Sequence, residues 1–419
     1  MIKRFRSIGR LVLLFFILLL LLANSGLPSN KFSEKVRVQT RWIEFDFVNW
    51  TLDALFTKLA QSALGTHRYL DFNQQAQIIQ DQLDMVIEHR QLKETINQIY
   101  ADPSIKDPER AAHELLIRQR RLQNELTKVG LLSEAVLQQQ ISQVLKQNQL
   151  TFLGQPIPPV QYHSTALPYA LIVSPRDVIR QDADISLLPQ LTLDEITALE
   201  QNVENELNVS ALVVPVGGVG VYPTMVMETS NFPWLAEVVS HEWTHNYLTW
   251  HPLGMLYMET PALRIINETT ASIVGKEIGG AALELYYPQY STEVPPVLKN
   301  ARPVPVVESE DFDFRAEMRE TRVKVDALLA EGKIEEAESY MDNRRALFVD
   351  HGYNIRRLNQ AYFAFYGAYA DQPGGAAGED PVGAAVRQFR AESESLSAFL
   401  KRIAWVTSYE ALLRRLSVE

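Results

Sequence analysis

His241, Glu242 and His245 fall in the stretch VVSHEWTHNYLTW, which runs from Val238 to Trp250. The chain has eight histidines, and three of them, His241, His245 and His251, lie within eleven residues. On a helix, residues four apart stand one turn apart on the same face, so the His241 and His245 imidazoles can reach one ion. Neutral imidazole nitrogen is a preferred zinc ligand. Glu242 sits slightly around the helix from His241, placed to touch a water on that ion without binding the ion itself. The H-E-x-x-H spacing thus supplies two ligands and a general base from two turns of helix.

A catalytic zinc usually takes three protein ligands and leaves one position open. The chain has no cysteine, so the third ligand must be His, Asp or Glu. Glu268 follows His245 by 23 residues in RIINETTASIVGKEIGGAALELYY, a second helical pattern. Ile265, Ile266, Ser272 and Ile273 flank it with apolar or small groups. A carboxylate so placed needs a partner, because burying it alone is costly. Glu268 is therefore the expected third ligand. His251 is the rival, at the last His of the longer H-E-x-x-H-x-x-G-x-x-H pattern. Leu248 stands where that pattern has glycine, and leucine resists the positive φ that the turn out of the helix needs.

The elements that must position these groups can be read from the pattern around them. The motif helix is expected from about Phe232. Before it, SALVVPVGGVGVYPTMVMETS reads as strand, glycine-rich turn, strand, and YALIVSP as a short buried strand. From about Trp50 to Gln149 apolar residues recur at helical spacing, with a break expected at Gly130 and a new helix from Leu132 to Leu145. Beyond the proline-rich RPVPVVESEDFD, a helical hairpin turning at Glu331–Gly332 leads to the aromatic stretch YNIRRLNQAYFAFYGAYA. The expected class is α+β, predominantly helical. The expected organisation is a leader at 1–26, a helical N-terminal region at 27–155, the site-bearing part at 156–310 and a helical C-terminal region at 311–419.

At 419 residues the chain exceeds one ordinary core, and a net charge of -11 argues against a nucleic-acid footprint. Its first residues, MIKRFRSIGR, are basic, and LVLLFFILLLLLA from Leu11 to Ala23 is unbroken apolar sequence. This is the layout of an export signal or an uncleaved anchor. It implies a protein held in a membrane by one N-terminal helix, or secreted after cleavage, with the remainder outside the cytoplasm. Residues 27–45 read as a mostly polar tether. The stretch HEWTHNYLTWHP is too polar for the motif to lie inside a spanning helix.

VVSHEWTH followed by NETTASIVG resembles the gluzincin, or thermolysin-like, zinc metallopeptidases, whose pattern is H-E-x-x-H plus a downstream Glu that opens the next helix. The resemblance covers about 60 residues, Gly217 to Glu277. It implies a zincin-like core, one zinc ion held by His241, His245 and Glu268, Glu242 activating water, and a peptide or protein substrate. It also implies a His or Tyr from the C-terminal part that steadies the oxyanion. Tyr366 is the first candidate, from the face formed by Asn359, Tyr362, Tyr366 and Tyr369, and His351 is the second. More loosely, the anchored layout and LNQAYFAFYGAYA resemble uncharacterised bacterial proteins described as predicted aminopeptidases. The chain departs from the family at two points. Ser272 stands where thermolysin-like enzymes carry an Asp that orients the first His, and GGVGVYP lacks the Glu of the aminopeptidase G-x-M-E-N strand. A relative of this kind without catalysis, serving as a binding or scaffold module, is the alternative.

Overall fold

The computed structural model describes residues 31–101, 105–291, 312–367 and 381–416. Helix α1 (Lys31–Thr40) opens the described chain, followed by α2 (Phe47–Leu64), α3 (Phe72–Ala101) and α4 (Pro108–Gln147). Val36 of α1 is buried, so part of the expected polar tether is a packed helix. Asp107 caps α4 by accepting from the Arg110 N–H at 3.0 Å, and Pro108 fits its first turn, where no N–H partner is needed. The helix then runs on for 40 residues through Gly130, where a break was expected. Side chains on both flanks, Leu122 and Leu126 before it and Val136 and Leu137 after it, are buried. Their burial outweighs the roughly 1 kcal/mol that one interior glycine costs a helix.

The strands form two small sheets. The first has the order β3 (Ala183–Leu187), β2 (Tyr169–Pro175), β4 (Val209–Pro215), all antiparallel, with α5 (Leu193–Leu207) between β3 and β4 in sequence. Its β2 is the expected buried strand YALIVSP. The second sheet has the order β1 (Tyr162–Thr165), β6 (Thr224–Met227), β5 (Gly218–Val219). Here β1 runs parallel to β6, and β5 runs antiparallel to it with Gly218 opposite Val226. The glycine-rich stretch read as a turn is thus itself an edge strand, and the strands on either side of it belong to different sheets.

Helix α6 (Phe232–Leu248) follows, then the short α7 (Pro252–Met255), α8 (Pro261–Tyr286) and α9 (Pro288–Ser291). The hairpin expected around Gly332 is α10 (Phe314–Ala330) and α11 (Ile334–Asp350). After it come α12 (Gln360–Tyr366), α13 (Pro381–Ala391), α14 (Leu396–Ile403) and α15 (Tyr409–Leu416). The largest core cluster surrounds α6 and α8, with Ile79, Val136, Phe389 and Phe399 brought to it from α3, α4, α13 and α14. A second cluster joins α10, α11 and α12 to one face of the first sheet, and a third joins α1 and α5 to its other face. The protein is α+β and mostly helical.

The expectation of a membrane-anchored protein is corrected here. Among the described residues no helix is long and apolar enough to cross a membrane. The longest, α4, carries Arg, Glu and Lys along its length, as in RQRRLQNELTK. Residues 1–26, on which that expectation rested, lie outside the described residues.

Candidate metal centre

Asn231 caps α6 by accepting from the Trp234 N–H at 3.2 Å, and Pro233 lies in the first turn. Thr260 caps α8 in the same way, through the Leu263 N–H at 3.2 Å, with Pro261 at its start. The two helices pack closely because glycine faces glycine-free backbone at the crossing. A Cβ added at Gly275 would fall 3.0 Å from the Glu237 carbonyl oxygen and 3.0 Å from the His241 Cβ. This contact sets α8 against the ligand face of α6, and Glu268, two turns before Gly275, meets both imidazoles.

His241 Nε2 and His245 Nε2 are 3.0 Å apart, and Glu268 Oε2 lies 3.5 Å from the first and 3.4 Å from the second. These three residues form a group that can hold a metal ion. Zinc with tetrahedral nitrogen and oxygen ligands at ~2.0–2.1 Å keeps those ligand atoms ~3.3 Å apart, close to all three distances. Glu268 is 3% exposed, and its Oε2 is a buried oxygen without a hydrogen bond. A buried carboxylate oxygen aimed at two ring nitrogens, themselves within touching distance of each other, needs positive charge beside it, from a bound ion or from a proton on an imidazole.

The surrounding groups fix that geometry. Asn267 Oδ1 accepts from His245 Nδ1–H at 2.8 Å, which turns the Nε2 lone pair toward the cluster. Asn267 is itself held by donating to the Leu253 carbonyl at 3.2 Å. The orienting role that the resemblance assigns to an Asp at the Ser272 position is thus taken here, for the other histidine, by the residue just before the ligand. The Tyr257 hydroxyl donates to Glu268 Oε1, leaving Oε2 to face the imidazoles. Arg264 Nε donates to the Tyr257 oxygen at 3.3 Å, and its Nη1 donates to Gln181 beside β3. A chain of polar groups thereby connects the carboxylate to the first sheet.

Burial opposes charge on Glu268, but His245 and then His241 outweigh it and hold its carboxyl well below the ordinary range. Burial likewise opposes charge on His245. The Glu268 carboxylate, with Glu242 and Asn267 assisting, overcomes it and pushes the ring up to about 9. A proton on His245 meets the same demand for positive charge that an ion would meet. Burial raises the Glu242 pKa against the pull of both histidines.

Glu242 is buried beneath β5: a Cβ on Gly218 would fall 2.5 Å from its Oε1, so a larger residue there would displace the carboxylate. Asn246 Nδ2 ties the helix to this sheet by donating to Thr224 Oγ1 at 3.0 Å and the Val221 carbonyl at 3.3 Å. The strand β5 is at the sheet edge, paired on one side with β6.

The other candidates lie apart. After α6 the chain leaves the helical path, and His251 adopts an extended conformation at the start of α7. Its Nδ1–H donates to the Tyr247 carbonyl at 2.9 Å and its ring stacks on Tyr247, so it is not part of the cluster. Tyr366 makes ring contacts with Tyr362 and Phe365. His351 donates to the Leu347 carbonyl at 2.8 Å and stacks on Phe312 at 3.8 Å between ring centres. Among the described residues, neither makes a hydrogen bond, ion pair or ring contact with His241, His245 or Glu268, and both belong with the cluster on the first sheet. Tyr369 lies outside the described residues. Asn267, Tyr257, Arg264 and Asn246 were not among the expected site residues. Only Asn267 carried a signal, as the residue preceding the ligand in N-E. No family model matches this chain, and no curated protein or solved structure matches it.

Proposed function

We propose that the protein is a zinc-dependent peptidase of the gluzincin type, with a zincin-like core made of α6, α8 and the sheet that ends in β5. The observation that carries this reading is the buried Glu268 Oε2, which makes no hydrogen bond and lies 3.4–3.5 Å from two imidazole nitrogens that are 3.0 Å apart. Three ligands of this kind leave an open position, the arrangement of catalytic rather than structural zinc. When bound, the ion supplies Lewis acidity for an amide carbonyl and lowers the pKa of water.

The chain's own residues supply the rest. Glu242 does not face the cluster as a fourth ligand. Its carboxylate lies between α6 and β5, and its raised pKa fits taking a proton from water and returning it to the leaving amine. Asn267 holds His245 in the tautomer that presents Nε2. The outer edge of β5 offers backbone groups to an extended peptide, which would add as a further strand and bring its scissile bond over Glu242. Glu242 also argues for catalysis over a scaffold role, since holding a metal needs no carboxylate at that place.

The test is chelator-sensitive cleavage of a mixed peptide library by the zinc-loaded protein, read by mass spectrometry, beside Glu242→Gln. Cleavage by the native protein, and none by a variant that retains its zinc, supports the reading. Zinc binding without cleavage of any peptide would leave a binding module.

A further inference from the structure

The face of α6 opposite the metal ligands borders an exposed apolar surface that the proposed chemistry does not use. A tight turn after α4 carries Phe152 and Leu153, closed by the Phe152 N–H bonding to the Gln155 carbonyl at 2.8 Å. Phe152 is 64% and Leu153 90% exposed, and across from them Trp250 and Trp405 are 68% and 60% exposed. Leu153 takes a φ of +50° next to Gly154 at +79°. That conformation favours glycine or asparagine, so a branched apolar side chain is held at the tip of the turn against backbone preference. Between the turn and Trp250 lies a cavity of about 430 Å³ lined by Leu150, Ile157, Tyr247 and His251, with Lys401 at its rim. His251 sits edge-on to Trp405 at 5.8 Å, which makes the surface continuous from the turn to α14.

Charge says what covers it. Three stretches meet at this face: 150–157, 247–251 and 401–405. They carry Lys401 and Arg402, and Arg415 joins them by donating to the Trp405 carbonyl at 3.1 Å. A chain of net charge -11 thus places Lys401 and Arg415 beside Trp250 and Trp405, with an apolar turn projecting from the same surface. Exposed tryptophans beside lysine and arginine, around a projecting Phe–Leu pair, match the boundary between anionic headgroups and acyl chains.

We infer that this face docks on an anionic lipid surface, with Phe152 and Leu153 entering the acyl boundary and Trp250 and Trp405 at headgroup depth. Docking is peripheral. It leaves the metal ligands, on the opposite face of α6, turned away from the lipid. The experiment is flotation of the full chain with vesicles of phosphatidylcholine alone or with 30% phosphatidylglycerol, beside the double variant Phe152→Ser/Leu153→Ser and the separate variant Trp250→Ser. All the altered side chains are exposed, and unchanged circular dichroism and zinc content would establish that the variants are folded. Binding to anionic vesicles that falls at least about tenfold in the double variant, and falls with added salt, is the expected result. Equal flotation of native and double-variant protein would overturn the inference, because attachment would then come from another part of the chain. Absence of native binding to anionic vesicles would also overturn it, leaving the face to a protein partner.

Discussion

Replacing Tyr257 by Phe removes one oxygen and keeps the ring. That oxygen donates to Glu268 Oε1 and accepts from Arg264 Nε at 3.3 Å. Glu268 is 3% exposed, so water cannot readily take the hydroxyl's place. A hydrogen bond to a buried charged acceptor contributes ~1.5–3 kcal/mol, which corresponds to ~10- to 150-fold in an equilibrium constant. Without it, Glu268 Oε1 is free to rotate toward the imidazoles, and the carboxylate no longer presents one fixed oxygen. Zinc affinity should therefore fall ~10- to 100-fold, the usual range when a group that orients a ligand is lost. Competition with a chromophoric chelator at fixed pH measures this directly. Cobalt in place of zinc gives a second readout, since its visible absorption reports coordination number and should differ between native protein and variant. Unchanged zinc affinity together with an unchanged cobalt spectrum would refute the role given to Tyr257.

Three further outcomes follow from the same geometry. Glu242→Gln should retain zinc and lose roughly 10²- to 10⁴-fold in peptide hydrolysis, while a variant that loses its metal as well would remove Glu242 from the role of base. Gly275→Ala places a methyl 3.0 Å from the Glu237 carbonyl and His241 Cβ, so urea unfolding of the metal-free protein should show a loss of ~1–3 kcal/mol, and a neutral result would mean that α8 yields freely. The metal-free protein should also lose stability with rising pH: His245 is raised from 6.5 to about 9, so its contribution is complete below 6.5 and vanishes as pH climbs through about 9. Glu268 is shifted the other way, so its contribution is present above 4.5 and is lost on acidification. Zinc needs the neutral ring, so the loaded protein should lack the alkaline decline and binding near pH 7.5 should release about one proton, measurable by calorimetry in two buffers; identical pH profiles with and without metal would contradict this.

The grouping of His241, His245 and Glu268 was legible because its signals are local. Four-residue spacing places His241 and His245 on one face of any helix, and an apolar helix around Glu268 already requires that the carboxylate find a partner. The groups that orient the ligands were not legible in the same way. Tyr257 comes from the irregular link between α7 and α8, and Arg264 reaches Gln181 across 83 positions of sequence. No periodicity encodes such meetings. The aromatic spacing of Tyr362 and Tyr366 is real, but it serves packing, with α12 burying its Tyr and Phe rings against β2 and β4. Periodicity reports that a face is covered without saying by what. The same limit explains the helix through Gly130, where the long-range neighbours of α4 prevail over a local break, and the glycine-rich stretch, where closeness to Glu242 rather than a turn accounts for Gly218.

The most direct measurement is the metal content of purified protein, by inductively coupled plasma mass spectrometry after removal of loose ions. One zinc per native chain is expected. Glu268→Ala and His245→Ala should each bind it at least about tenfold more weakly. A native chain that holds no zinc at micromolar free metal, or variants that hold it as tightly as the native chain, would contradict a centre built from His241, His245 and Glu268.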